Sequence, residues 1–374
     1  MYQNYSLSEK STFFQKLRSI DYILLTAVFI VGVISISAMY STDGGEVLYH
    51  TKNHAYRFAI FFIMMFVISF FNIKFWHATG YIFYIIVLAL LFWASNYGIT
   101  ASGSQRWINL YFINLQPSEL MKIAIIVCFS KYYHRMQVSN VNKIKNILIP
   151  LVILFIPIAL VVSQPDLGTA ILIALSGLIV LWLAGLNAKY FFYSSLLFII
   201  SAPFVISFLK PYQKSRILSF FDPDRDPLGA GYQIIQSKIA VGSGGLSGKG
   251  FLKGTQGYLE FLPEKHTDFI FTLYSEEFGF VGSLILLALY SIIIFRIITI
   301  GSISRNYFGK FFCYGFGSSI FIYIVVNMSM VLGLLPIVGS PLPIMSYGGS
   351  SMLATMIGLG IVMSTKIYNR QIIS

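Results

Sequence analysis

Ten predominantly apolar stretches follow one another along this chain, near residues 22–41, 55–72, 79–97, 118–133, 147–163, 168–185, 189–209, 269–295, 310–332 and 345–365. A helix needs about 20 mostly apolar residues to cross a bilayer, with a range of about 17–25. The succession therefore predicts an all-α polytopic integral membrane protein with about ten transmembrane helices. The fourth stretch is short and carries Glu119 and Lys122, and only Gln164-Pro165-Asp166-Leu167 separates the fifth from the sixth. Charge agrees with this class. Only 11% of the 374 residues are charged, against about 25% in a soluble domain. The run from Tyr22 to Tyr40 is too long for a cleavable signal core of about 7–15 residues, so it reads as a first permanent membrane helix. No internal repeat is visible, which gives an inverted-repeat transporter no support. Cys128 and Cys313 fall inside apolar spans and read as packing residues. His50, His54, His77, His134 and His266 show no metal-ligand spacing.

Charge distribution sets the orientation. With ten spans both termini share a side, and basic residues mark the cytoplasmic side. The N-terminus, the loops near 73–78, 131–146, 186–189 and 296–309, Lys310 and the C-terminus hold fourteen basic residues against two acids, Glu9 and Asp21. The remaining twelve basic and twelve acidic residues balance. The net charge of +12 thus reflects topology and anionic membrane lipids, and nucleic acid is not needed to explain it. This places both termini in the cytoplasm.

The opposite, extracytoplasmic side receives the loop with Asp43, Glu46 and Arg57, the loop with Arg106 and Trp107, a large loop over residues 210–268 between helices 7 and 8, and a Gly/Pro-rich loop from Gly333 to Ser351. Within the large loop, apolar Tyr232, Ile234, Ile235, Ile239 and Val241 predict a short amphipathic helix lying on the membrane surface. The stretch Pro263 to Glu277 concentrates charge at the mouth of an apolar span, and Asp268 sits where polar loop becomes helix. Ionisable groups at such a depth are functional candidates by default. Arg57, Arg106 and Arg216 lie near helix ends on the same side. Arginine suits bidentate phosphate recognition, although a single one there equally serves as a snorkelling anchor. Irregular backbone at membrane depth is tolerated only in protein or along a wet cavity, so 333–351 reads as a cavity wall near Asp268.

Other motifs carry less. Gly242 to Gly250 looks like a phosphate loop but has Ser243 and Gly250 where a P-loop needs Gly and Ser or Thr. It is either a flexible turn or a loop whose amides approach a lipid phosphate. Asp222-Pro-Asp-Arg-Asp226 has Pro227 where a calcium loop needs Gly and Gln233 where it needs Glu, and reads as a solvated turn. Glu119 and Lys122, three apart on one helix face, can pair, as a structural brace or as part of the chemistry. Asp166 can cap the helix that starts near Leu167 or act in a site.

Several of these residues belong to a recognisable pattern. Gly103-Ser-Gln-Arg-Trp-Ile108, Gln116-Pro-Ser-Glu-Leu120 with Lys122, Gln164-Pro-Asp-Leu-Gly-Thr169, Asp226-Pro-Leu-Gly-Ala-Gly-Tyr232, Gly242-Ser-Gly-Gly245, His266-Thr-Asp-Phe-Ile-Phe271 and Ser346-Tyr-Gly-Gly-Ser-Ser351 closely resemble the SEDS family of cell-wall proteins (shape, elongation, division and sporulation). Gly248-Lys-Gly-Phe-Leu-Lys-Gly-Thr-Gln256 and Val338-Gly-Ser-Pro-Leu-Pro343 resemble its elongation branch. The resemblance implies one SEDS-type membrane domain over 1–374 in the bacterial inner membrane. It implies a peptidoglycan glycosyltransferase using Lipid II, in complex with a class B penicillin-binding protein and the elongation machinery. Asp268 occupies the position of the family's essential aspartate.

The chemistry expected of such a site fits the sidedness. Polymerisation needs a base for the acceptor hydroxyl, which a carboxylate at a helix end can supply. It also needs a stabilised pyrophosphate leaving group, the work of arginines or of a divalent cation such as Mg or Mn. Arg57, Arg106, Arg216 and Lys265 are the pyrophosphate-binding candidates; Asp166, Glu264, His266 and Ser350 are further site candidates. Two other readings stay open: a Lipid II flippase, which should concentrate polar groups near the midplane, and a non-catalytic scaffold for a transpeptidase, which would not require Asp268.

Overall fold

The fold is taken from a computed structural model that describes residues 12–101, 104–110, 114–226, 229–255 and 262–373. Glu9, Lys10, Gly103, Pro227, Leu228 and Gln256 lie outside the described residues. A short helix α1 (Phe13–Arg18) leads into α2 (Tyr22–Thr42), α3 (Tyr49–Ser69) and α4 (Ile73–Tyr97). Strands β1 (Ile99–Ala101), β2 (Ser104–Asn109) and β3 (Asn114–Leu115) follow. Then come α5 (Pro117–Tyr133), a single turn α6 (Val138–Val141), α7 (Ile144–Ser163), α8 (Leu167–Leu183) and α9 (Ala188–Phe208). The large connecting segment holds α10 (Pro211–Phe221), a 3-10 turn over Pro223–Arg225, and α11 (Ala230–Ser243). The chain closes with α12 (Ile270–Ile303), α13 (Tyr307–Val331) and α14 (Gly349–Ile367).

A helix lies over each of the ten apolar stretches. Among the described residues six helices, α2, α4, α7, α12, α13 and α14, are long and apolar enough to cross a membrane by length and composition. The chain is therefore a multi-pass helical membrane protein. Helix α5 is short because it is central. Every residue from Pro117 to Ser130 is buried, against α4, α8, α13 and α14, so protein surrounds it on all sides. Helix α9 is the opposite case, with Phe192, Tyr193, Leu197, Phe198, Ile200 and Phe204 exposed, as a lipid-facing helix requires.

The all-α expectation needs one correction. The strands β1, β2 and β3 pair into a three-stranded antiparallel sheet in the order β1-β2-β3. The backbone leaves helical geometry at Gly98, where a side chain would meet the Ala94 carbonyl at 2.3 Å. The mixed polar and aromatic stretch that follows satisfies its backbone groups by strand pairing.

The two ends of the bundle are held by different sets of polar contacts. At one end, the Arg296 guanidinium grips Asp21 through Nε at 3.1 Å and through Nη2. His134 Nε2 meets the Ile373 carbonyl at 3.1 Å, and the Arg305 amide donates to Asn369. These residues all come from segments assigned to one side.

At the other end the Gly-rich loop is neither a free turn nor an open phosphate cradle. Helix α12 breaks at Gly279 (φ 65°, ψ −160°), and the loop fills the break. The amides of Lys249 and Gly250 donate to the Glu276 and Glu277 carbonyls, while the amides of Phe280 and Val281 donate to Gly245 and Leu246. Lys249 Nζ also pairs with the buried Glu276 carboxylate at 2.6 Å. Helix α11 forms as expected, but Ile234, Ser237 and Ala240 are buried against protein. Ser237 Oγ lies 2.8 Å from Thr272 Oγ1 and donates to the Val331 carbonyl.

Candidate active site

Asp268 sits in the turn before α12, one residue ahead of the N-cap Phe269. Three elements hold it there. Asn327 on α13 uses one amide nitrogen twice, donating to the main-chain oxygen of Asp268 at 3.0 Å and to that of Ser340 at 2.7 Å. The Tyr347 amide donates to the His266 carbonyl at 2.8 Å. Gly339 adopts φ 72°, and a side chain there would begin 3.5 Å from Asp268 Oδ2. The 333–351 loop is thus the wall beside Asp268 that its Gly/Pro content predicts.

Electrostatics makes Asp268 unusual. Its carboxyl is half-buried, and burial is the main force that pushes its pKa up to about 7. The negative charge of Glu264 adds to the rise, Arg216 and Arg106 oppose it, and Asp166 adds a smaller push. Four of the residues singled out in the sequence therefore act on one carboxylate. Burial wins over the arginines, which leaves a group able to hold or release a proton near neutral pH.

Each of these neighbours has a defined seat. Arg216 on α10 directs Nη1 to the Ile337 carbonyl at 3.3 Å. Arg106 on β2 donates to Asp166 Oδ2 at 2.7 Å. Asp166 caps α8 by accepting from the Thr169 amide at 3.1 Å, and its other oxygen accepts from Thr169 Oγ1 and Gln116 Nε2. It is both a cap and the anchor of Arg106, so the two readings of this residue coexist. Glu264 accepts from Thr267 Oγ1 at 2.8 Å.

The other candidates fall into separate groups. Arg57 lies over the Tyr347 ring at 4.9 Å, on the His266 side of the site. Lys265 bears on His266, whose pKa burial lowers to about 4, with His50 and Lys265 adding to the drop and Asp43 opposing it. Ser350 is a structural tie: its hydroxyl donates to the Asn114 carbonyl at 2.9 Å and accepts from the Gln116 amide at 2.8 Å. Glu119 and Lys122 pair at 2.7 Å, and Lys122 Nζ stands 4.0 Å over the Tyr323 ring. They line a cavity of about 30 Å³ with Ser319, Ser351 and Thr355, large enough to admit water.

Asn327 escaped the sequence reading. The signal was available, because an Asn inside an apolar span has to earn its place by hydrogen bonding. Asn327 Oδ1, Ser340 Oγ and Arg106 Nε are buried without a hydrogen-bond partner among the described residues. Buried polar atoms are nearly always paired, so these three have hydrogen-bonding capacity to spare.

The fold and this site together define a class: polytopic helical membrane proteins with a half-buried carboxylate at the start of a long helix. The chain belongs to the FtsW/RodA/SpoVE family, the SEDS proteins; the family model, described as "Cell cycle protein", matches residues 16–371. It is 41% identical over 364 residues to the peptidoglycan glycosyltransferase MrdB of Escherichia coli K12, with 97% of each chain covered. It is 35% identical over 321 residues to stage V sporulation protein E of Bacillus subtilis 168, covering 83% of this chain and 84% of that one. Among solved structures it superposes on a chain of a peptidoglycan synthase complex described as coordinating polymerization and crosslinking. That match has a TM-score of 0.81 and 28% identity, over 94% of this chain and 99% of the other. The rod shape determining protein RodA of Thermus thermophilus shares the fold, with a TM-score of 0.71 at 23% identity over 94% of this chain and 98% of that one.

Proposed function

We propose that this chain is a peptidoglycan glycosyltransferase that polymerises Lipid II into glycan strands during cell elongation and so maintains rod shape. The observation that carries the reading is the Asp268 carboxyl, with its pKa near 7 and Arg106 and Arg216 both acting on it. The relatives named as peptidoglycan glycosyltransferases support it over nearly the full chain. In this reading Asp268 takes the proton from the 4-hydroxyl of the acceptor sugar. The freed oxygen attacks the anomeric carbon of the donor, and the bond from that carbon to the pyrophosphate oxygen breaks. An α-linked donor gives a β-linked product by a single inversion, with no covalent sugar–enzyme intermediate. Arg216 and Arg106 meet the charge that develops on the pyrophosphate. Asp268 and Glu264, close enough for one charge to act on the other, are the oxygen donors suited to a Mg or Mn ion, which would supply further charge neutralisation.

The topology follows from the same reading. Ten helices cross the inner membrane, both termini are cytoplasmic, and 210–268 forms an extracytoplasmic part of a single membrane domain. The site then faces the leaflet where Lipid II is presented, and a class B penicillin-binding protein crosslinks the product. The test is Lipid II polymerisation by the purified chain, with and without that partner. A flippase or a scaffold would form no polymer under any of these conditions.

Two expectations belong to this assay. Asp268 accepts a proton only when deprotonated, so the rate should rise about tenfold per pH unit below 7 and level off above it. A rate flat from pH 5 to 8 would remove Asp268 as the base. For Arg216, the planar fork suits a phosphate better than the point charge of a lysine. Arg216→Ala should lose activity and Arg216→Lys should recover only part of it. Full activity in both would take Arg216 out of the site, while full recovery by lysine alone would make it an interfacial anchor.

A further inference from the structure

Two imidazoles and a carboxylate that are far apart in sequence meet beside the site. Asp43 caps the C-terminus of α2, His50 lies in the first turn of α3, and His266 lies two residues before Asp268. Gly44 (φ 81°) and Gly45 (φ 84°) allow the tight reversal that brings Asp43 back to His50, a backbone conformation glycine adopts without strain. One ligand atom from each of the three residues lies within 4.8 Å of the other two. We propose that Asp43, His50 and His266 form a binding site for a divalent transition-metal ion of the zinc type, linking the α2–α3 hairpin to the turn that carries Asp268.

The donor geometry supports this. His50 Nδ1 and Asp43 Oδ1 stand 3.3 Å apart, roughly the edge between two donors that are each about 2.0–2.2 Å from a tetrahedral ion. The supporting contacts free the right atoms. Asp43 Oδ2 is occupied by the Thr51 amide at 2.8 Å and Thr51 Oγ1 at 2.6 Å, which leaves Oδ1 turned toward His50. Thr42 Oγ1 donates its hydrogen to the Met39 carbonyl at 2.8 Å, so it accepts from His266 Nδ1, 3.0 Å away. That contact fixes the tautomer and leaves a lone pair on His266 Nε2. Hydrogen-bond partners of this kind orient metal-binding histidines and carboxylates. The His50 and His266 rings are stacked at 3.9 Å with 15° between their planes. They need to fan apart by side-chain rotation to aim both nitrogens at one ion.

The donor set selects the metal. Imidazole suits Zn, Co, Ni or Fe, whereas Mg and Ca prefer oxygen donors throughout. The site is therefore distinct from any Mg or Mn ion at the pyrophosphate, and it stands whether or not the glycosyltransferase reading holds. Three protein ligands leave one tetrahedral position for water or a fourth group.

The test uses the full chain purified in detergent without a polyhistidine tag, stripped with a chelator and titrated with Co²⁺. Visible absorption reports Co²⁺ coordination, and Zn²⁺ serves as competitor. One Co²⁺ per chain is expected, displaced by Zn²⁺ and not by equimolar Mg²⁺. His50→Phe keeps a ring against His266 and removes the donor, and Asp43→Asn keeps the acceptor for Thr51. Both should abolish the Co²⁺ spectrum while eluting as wild type on size exclusion. Thr51→Ala should weaken binding about 10–100-fold. Absence of the spectrum in the wild type, or its persistence in both ligand variants, would overturn the proposal.

Discussion

Asp268→Asn is expected to lower Lipid II polymerisation about 10²–10⁴-fold, the usual contribution of a positioned general base. The substitution removes the proton acceptor and keeps the shape. The bonds that hold residue 268 in place run through its main-chain oxygen to Asn327, so they survive the change. The variant should therefore reach the membrane, elute as a single species and unfold at a temperature close to that of wild type. Glu264 is near enough to act on Asp268, and it offers a means of checking the assignment. If the residual activity of the Asn variant falls further when Glu264→Gln is added, Glu264 is the substitute base. Substantial polymer from Asp268→Asn, with no further loss in the double variant, would sink the role given to this carboxylate.

The second large effect should come from Glu119 and Lys122. Both side chains are almost fully enclosed, at 7% and 5% exposure, on a helix surrounded by protein. Removing either alone leaves an uncompensated charge in a low-dielectric interior, a loss of about 3–5 kcal/mol for a buried pair. Glu119→Gln and Lys122→Met should each reduce stability sharply. The double change should cost clearly less than the sum, because it removes both charges together. Thermal unfolding of the four proteins of this cycle measures the coupling, and strictly additive losses would show that the two do not act as a pair. Lys122→Met also gives up the contact with the Tyr323 ring, so its single effect should be the larger of the two.

The sequence carried the multi-pass helical architecture because bilayer thickness imposes a length that composition reveals. The site was legible in part. Asp268, Arg106, Arg216, Asp166 and Glu264 were named from charge at helix ends and family motifs, and the fold brings them to one carboxylate. Three things were not legible. The strands β1, β2 and β3 are short and follow a long helix, so their period does not stand out. Asn327 was hidden inside an apolar run. The meeting of Asp43 and His50 with His266 depends on two loops more than 200 residues apart in sequence, and no spacing rule reaches that far. The seat of the Gly-rich loop is not written in the sequence either, because its partners are backbone groups exposed by the break in α12, and side-chain motifs do not encode them.

That break has a mechanical consequence. A continuous helix would transmit any twist of its membrane half straight to its tip. Here Gly279 is the joint between a tip, Ile270 to Phe278, and the rest of the helix, and the loop over 245–250 is bonded to both: Lys249 and Gly250 to the tip, Gly245 and Leu246 to Phe280 and Val281 just past the joint. The joint admits no side chain, since one would strike the Gly248 nitrogen at 2.3 Å. The loop therefore acts as a splint across the break: a displacement of the segment around 242–255 is passed to both halves of α12 at once, and through the tip to Asp268 at its start.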